Sequence, residues 1–104
     1  MTDRELLEAA ARAAGMPVGW YSNCMVHLDA DGRYAGWWIP FTDDGDALRL
    51  AVKVKLRVNI LSDRTEIVFW PPAGADSLFE LHGDNPFAAT RRAIVQAAAE
   101  MASS

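Results

Sequence analysis

Cys24 and His27 form a Cys-x-x-His spacing in a 104-residue chain with a single cysteine and two histidines. That pattern suits half of a zinc site or a thiol–imidazole couple. On a strand, however, positions three apart face opposite sides, so the two groups would not meet. A zinc site would have to borrow His82 and a carboxylate, whereas structural zinc sites present two paired ligand motifs. Cys24 is therefore expected to be a small buried apolar residue. No metal or cofactor is expected.

Five acids, Asp29, Asp31, Asp43, Asp44 and Asp46, fall in a stretch whose one base is Arg33. A calcium loop needs ligands at fixed spacing running on to a bidentate Glu, and neither cluster continues so. Turn formation at 29–32 and helix capping at 43–46 account for both; an acidic surface mimicking nucleic acid is the sharper alternative. The opposite charge gathers at Arg49, Lys53, Lys55 and Arg57, with Arg91 and Arg92 as possible neighbours. Basic residues set between apolar ones can track phosphates. The net charge of −4 and isoelectric point near 5.0 make nucleic-acid affinity an unfavoured reading. A solvated face, with lysines discouraging strand-edge pairing, fits better.

Four tryptophans are many for this length, and Trp37-Trp38 and Phe69-Trp70 are adjacent aromatic pairs. If each pair lies on a strand, one ring of each faces away from the core. An outward Trp favours a covering partner, so Trp37, Trp38, Phe69 and Trp70 are the candidate binding residues. Helices covering both sheet faces would bury the rings instead. No nucleophile elbow, P-loop, metalloprotease or dinucleotide fingerprint is present, so no catalytic residue is assigned and an enzyme is not expected.

The elements that position these groups follow from composition and pattern. An apolar fraction of 51% and a charged fraction of 23% are those of an ordinary globular domain, and residues 1–104 are expected to form one. One cysteine fits a reducing compartment. The N-terminus does not read as a secretory signal, and no apolar run approaches a bilayer span, so a cytoplasmic location and no membrane contact are expected.

Thr2 and Glu5 have capping-box spacing, and Gly15 with Pro17 stops what they start, which predicts a helix over 3–14. Its apolar face is Leu6, Ala10 and Ala13 with Leu7 and Ala14. Residues 25–28 and 34–39 predict a loose hairpin around Asp29–Gly32. From Leu48 to Ile60 seven apolar residues occupy every second position. That alternation alone predicts one long strand over 48–61. Ala47, Leu50, Ala51 and Val54 also make a helical stripe, and the Asp cluster before them favours a helix N-terminus. The favoured reading is a helix over about 44–54, then a strand over 56–61. That strand pairs with one over 65–70 across Ser62-Asp63-Arg64. Pro71-Pro72-Ala73-Gly74 reads as a loop, and Leu78, Phe79 and Leu81 as a short third strand. Asn85 as N-cap and Pro86 at the first helical position predict a last helix over 86–102, with Phe87, Ile94, Ala98 and Met101 on one stripe. The fold class is α+β, a short antiparallel sheet of two to three strands packed with three helices.

The segments Phe41–Lys53 (FTDDGDALRLAVK) and His82–Val95 (HGDNPFAATRRAIV), with the opening Thr2–Leu7 and Ala11–Gly15, resemble a group of small, mostly uncharacterised proteins encoded by tailed phages and prophages. The resemblance covers about half of the chain. It implies a short antiparallel sheet carrying helices, described in related phage domains as an α/β/α-type sandwich, and it brings no catalytic residues. The chain departs from the group between Trp20 and Trp38 and over 52–70, where a specific role is expected to reside. The resemblance suggests a phage-encoded accessory protein that binds a host protein, inhibition of a bacterial defence system being one form. A self-associating assembly protein and a nucleic-acid-binding regulator are the alternatives.

Overall fold

The computed structural model describes residues 1–71 and 74–102. Among these, six strands and three helices form in the order α1 (Asp3–Ala14), β1 (Val18–Tyr21), β2 (Cys24–Leu28), β3 (Tyr34–Trp37), α2 (Asp44–Lys53), β4 (Arg57–Ile60), β5 (Arg64–Phe69), β6 (Asp76–Leu81) and α3 (Pro86–Ala102). The fold is α+β. Its strand content exceeds the two or three expected, because the strands make two antiparallel three-stranded sheets, β1-β2-β3 and β4-β5-β6. Of the loop read at 71–74, Pro72 and Ala73 lie outside the described residues. No helix among the described residues is long and apolar enough to cross a membrane.

The helix ends follow the capping chemistry. The Glu5 amide donates to Thr2 Oγ1 at 3.1 Å and the Thr2 amide to Glu5 Oε1 at 3.0 Å, and Gly15 closes α1 in the left-handed region at φ 64°. Hydrogen bonding from Thr2 to the carboxyl, from its backbone amide first and its side chain second, holds the Glu5 pKa below its ordinary value. The Ala88 amide donates to Asn85 Oδ1 at 3.1 Å at the start of α3.

α2 is the more instructive helix. Asp43 caps it by accepting from the Asp46 amide at 2.8 Å. Asp46 is itself buried and accepts from the Ile39 amide at 2.9 Å and from Arg49 Nη2 at 2.8 Å, which fastens the 39–43 loop to the helix. Gly45 belongs to this arrangement: a Cβ there would stand 3.2 Å from the Arg49 guanidinium and from Asp43 Oδ2. At the other end the Leu56 amide donates to Ala51 O at 3.0 Å and the Lys55 amide to Val52 O at 3.3 Å. This is a Schellman pattern with Lys55, at φ 60°, in the left-handed position that glycine normally fills. It breaks the alternating run, so the first part is helix and the second is strand.

The core joins α1 and α3 through small residues. Ala9, Ala10, Ala11 and Ala14 of α1 and Ala93, Ala97, Ala98 and Ala99 of α3 are all buried, which permits close approach of the two backbones. α3 also covers the inner face of β5 and β6, where Thr65, Ile67 and Phe69 alternate inward. The first sheet turns its Met25 side to the same core, with Trp38 beyond it, its amide bonded to Met25 O at 2.9 Å. Trp20 lies beneath Arg4, whose guanidinium is 3.9 Å from the ring centroid.

Three sequence expectations change. Cys24 is exposed rather than buried, because it stands at the turn end of β2 opposite Tyr21 on the face away from the helices. Phe87 is 68% exposed, since the first turn of α3 projects past the sheet it covers. Trp38 at 1% and Phe69 at 2% exposure are core residues, so neither is available to a partner.

Candidate functional site

Of the four aromatic residues expected to bind, Trp37 and Trp70 remain at the surface, 50% and 49% exposed. They lie on outer faces of different sheets and do not form one constellation. On the first sheet the register places Gly19, Val26 and Trp37 in one row, Tyr21 beside Cys24, and Leu28 beside Tyr34 across a bulge. The bulge brings Tyr34 and Trp37 to the same face. Their ring centroids are 6.0 Å apart in edge-to-face contact, and Tyr34 is 6.2 Å from Tyr21. Val26 on this face is 2% exposed yet stands outside the main core. The aromatic rings therefore act as the cover of a small second cluster.

Cations cover the outer face of the second sheet in a similar way. Arg57 lies over Trp70 at 5.8 Å and Arg64 over Phe79 at 5.2 Å from the ring centroids. Arg64 is also paired with Asp63 at 3.1 Å, a contact that lowers the Asp63 pKa and raises that of Arg64.

The basic residues divide by role. Arg91 donates from Nη1 to Asp44 at 2.6 Å and from Nε to Phe41 O at 2.8 Å, tying α3 to the start of α2. Arg92 bonds Asp3 at 3.1 Å, and Arg49 pairs with Asp46 and more distantly with Asp43. Arg57 points to the opposite face of its sheet. Lys53 and Lys55 are exposed, with no ion pair among the described residues. The six do not form one free basic surface.

A different region draws attention, one the sequence pattern concealed. α2, β4 and the first turns of α3 enclose a groove of about 540 Å³ whose walls include Leu48, Val58, Ile60, Phe87 and Ile94. Val58 and Ile60 are inner-face residues of β4, since Val58 pairs with Ile67 and Ile60 with Thr65. α3 covers β5 and β6 but leaves this edge open. On the far side of Leu48 a second hollow of about 470 Å³ is lined by Met16, Arg49, Val52 and Lys53. Leu48, Val52, Ile60 and Phe87 are between 64% and 69% exposed. Four large apolar side chains left that open around one helix form the type of patch that marks an interaction site on a small protein.

One polar network reaches the groove. Thr65 Oγ1 lies 2.9 Å from His82 Nε2 and 2.6 Å from Thr90 Oγ1, and Thr90 lines the groove. Nucleophilic catalysis needs a reachable hydroxyl in direct contact with its base. Thr65 touches the imidazole but is fully buried, while Thr90 reaches the groove but is one hydroxyl removed from it. The network's evident work is to join β5, α3 and the segment after β6. Among the described residues no three His, Cys, Asp or Glu side chains gather in a way that could hold a metal ion.

The chain matches no protein-family model, no curated protein and no solved structure. The geometry of these surfaces therefore carries the functional reading.

Proposed function

We propose that this protein acts by binding another protein through the apolar face around α2. The observation that carries this reading is the convergence of Leu48, Val52, Ile60 and Phe87 on two adjoining hollows that no element among the described residues covers. The rings on the first sheet pack on one another over buried Val26, and those on the second lie beneath Arg57 and Arg64, which weakens the case for them as the partner surface. The partner suggested by the likeness to phage-encoded proteins is a host protein, and inhibition of a defence protein is one form such binding takes.

Affinity capture from bacterial lysate tests the reading with three forms of the protein, each first shown to be folded. A partner retained by the wild type and by Trp37→Ala, but lost by Leu48→Asp with Phe87→Asp, is the expected result. Retention by the Leu48→Asp, Phe87→Asp protein would remove the α2 face from the account.

A further inference from the structure

Resting on that reading, we infer that the α2 face receives an acidic amphipathic helix of the partner. α2 presents Leu48 and Val52 at i, i+4 spacing as an apolar row; beside it stand Arg49, whose guanidinium is engaged by Asp46 and Asp43, and Lys53, which has no ion pair among the described residues. Lys55 stands at the end of the same run. From Ala47 to Ser62 the chain contains no acidic residue, and Asp44, which lines the groove, is paired with Arg91. A surface with this polarity is complementary to an apolar stripe flanked by Asp or Glu, and it repels a stripe flanked by Lys.

The backbone of Lys55 points the same way. Its φ of 60° is a conformation that glycine adopts freely and that strains a side-chain-bearing residue. A lysine in that position sets an exposed charged residue directly after the helix that carries the apolar row. Strain of this kind gathers at functional positions.

Helical form follows from the nature of the walls. An extended segment lying flat on Leu48, Val58, Ile60 and Phe87, away from the open edge of β4, would press unpaired backbone N–H and C=O groups onto apolar side chains. A helix satisfies those groups internally and offers only side chains. It also continues the helical layer that α3 begins, over the inner face of β4 that α3 leaves bare. Helix-in-groove recognition of this kind is read through i, i+3, i+4 and i+7 anchors.

The test is selection from a displayed library of helical peptides about five turns long. A leucine stripe is held constant and the flanking positions vary between Glu and Lys. Enrichment of clones with Glu beside the stripe is expected. The selected peptide, made synthetically, should bind the wild type at least about tenfold more tightly than a Lys53→Glu, Lys55→Glu protein. Leu48→Asp should bind it hardly at all. Enrichment without preference for Glu, or equal affinity for the charge-reversed protein, would overturn the inference. So would the absence of any enriched helix. In that last case, a partner captured by the wild type and lost from Leu48→Asp with Phe87→Asp would leave the binding reading standing. Its contact element would then be sought as a strand added to the β4 edge.

Discussion

The outer face of the first sheet and the hollows around α2 both expose large apolar side chains, yet those side chains have different neighbours. Tyr34 touches both Tyr21 and Trp37, and the register sets Trp37 beside buried Val26 and Tyr34 beside Leu28, so part of each ring is already used by the fold. Leu48, Val52, Ile60 and Phe87 stand around open space that no element among the described residues fills. The difference shows that exposure alone does not identify a binding surface. A half-exposed ring that shields a buried valine is a roof, whereas an aliphatic row bordering a hollow awaits a partner.

Substitutions can break or sharpen this contrast. The largest effect is expected inside the fold, at Trp38. Conversion to Ala should cost about 3–5 kcal/mol, because the indole is a fully buried part of the core. Chemical denaturation would register that loss, and a near-neutral outcome would mean that the core is misplaced. Its neighbour Trp37 should behave differently. Trp37→Ala uncovers Val26 and removes one edge-to-face contact, for a loss of about 1–2 kcal/mol, and should leave partner binding unchanged. Weakened binding in a folded Trp37→Ala protein would turn the roof back into an interface.

Lys55→Gly separates stability from binding most cleanly. Relief of the left-handed backbone should stabilise the protein by about 1 kcal/mol, a rise in melting temperature of several degrees for a domain of this size. Loss of the ammonium should at the same time weaken partner binding. If both quantities move together, the lysine is only a poor helix terminator.

The smallest effect concerns acid. The folded-state pKa of Glu5 is depressed, so its contribution is present above the ordinary carboxylate pKa and disappears as pH falls through the lowered folded value. Glu5→Gln keeps an oxygen for the Thr2 amide but does not titrate. Thermal melts should then be nearly unchanged at neutral pH and less sensitive to acid below pH ~4. An unaltered acid profile would take the capping carboxylate out of the pH dependence. Binding comparisons between the two regions are best made above that range.

Much of the fold was legible because its helices announce their ends. Thr2 with Glu5, Asp43 and Asn85 are side-chain caps that act on neighbouring backbone, so sequence spacing alone identifies them. The alternating run from Leu48 to Ile60 was ambiguous for a physical reason. Its break is made by a lysine in a conformation that usually signals glycine. β1 was missed because it is short, contains Gly19, and turns into β2 through Ser22-Asn23. Ser22 holds the positive φ of 59° that hairpin patterns assign to glycine.

The candidate site was much less legible. Adjacency showed that one ring of each aromatic pair would face outward, but not that the outward rings would serve as covers. Leu48 and Val52 belong to the same alternation as buried Leu50 and Val54, and the turn of the helix separates the pairs, placing Leu50 and Val54 on the buried stripe and Leu48 and Val52 off it. Phe87 fell on the apolar stripe of α3 and reads as core until the helix is seen to begin beyond the sheet. Exposure at these positions is a tertiary property, set by what α3 does not reach. The basic residues at 49, 53 and 55 were visible from the start. Their apolar partners on the same helix face emerge only when that segment is known to be helical.

The most direct test of the contrast is site-specific photo-crosslinking in bacterial cells. A benzophenone side chain is introduced either at Val52 beside α2 or at Tyr34 on the aromatic face. The account predicts a discrete adduct with another protein from position 52, lost on addition of Leu48→Asp, and none from position 34. An adduct from position 34 alone, or one from position 52 that contains only a second copy of this chain, would contradict it.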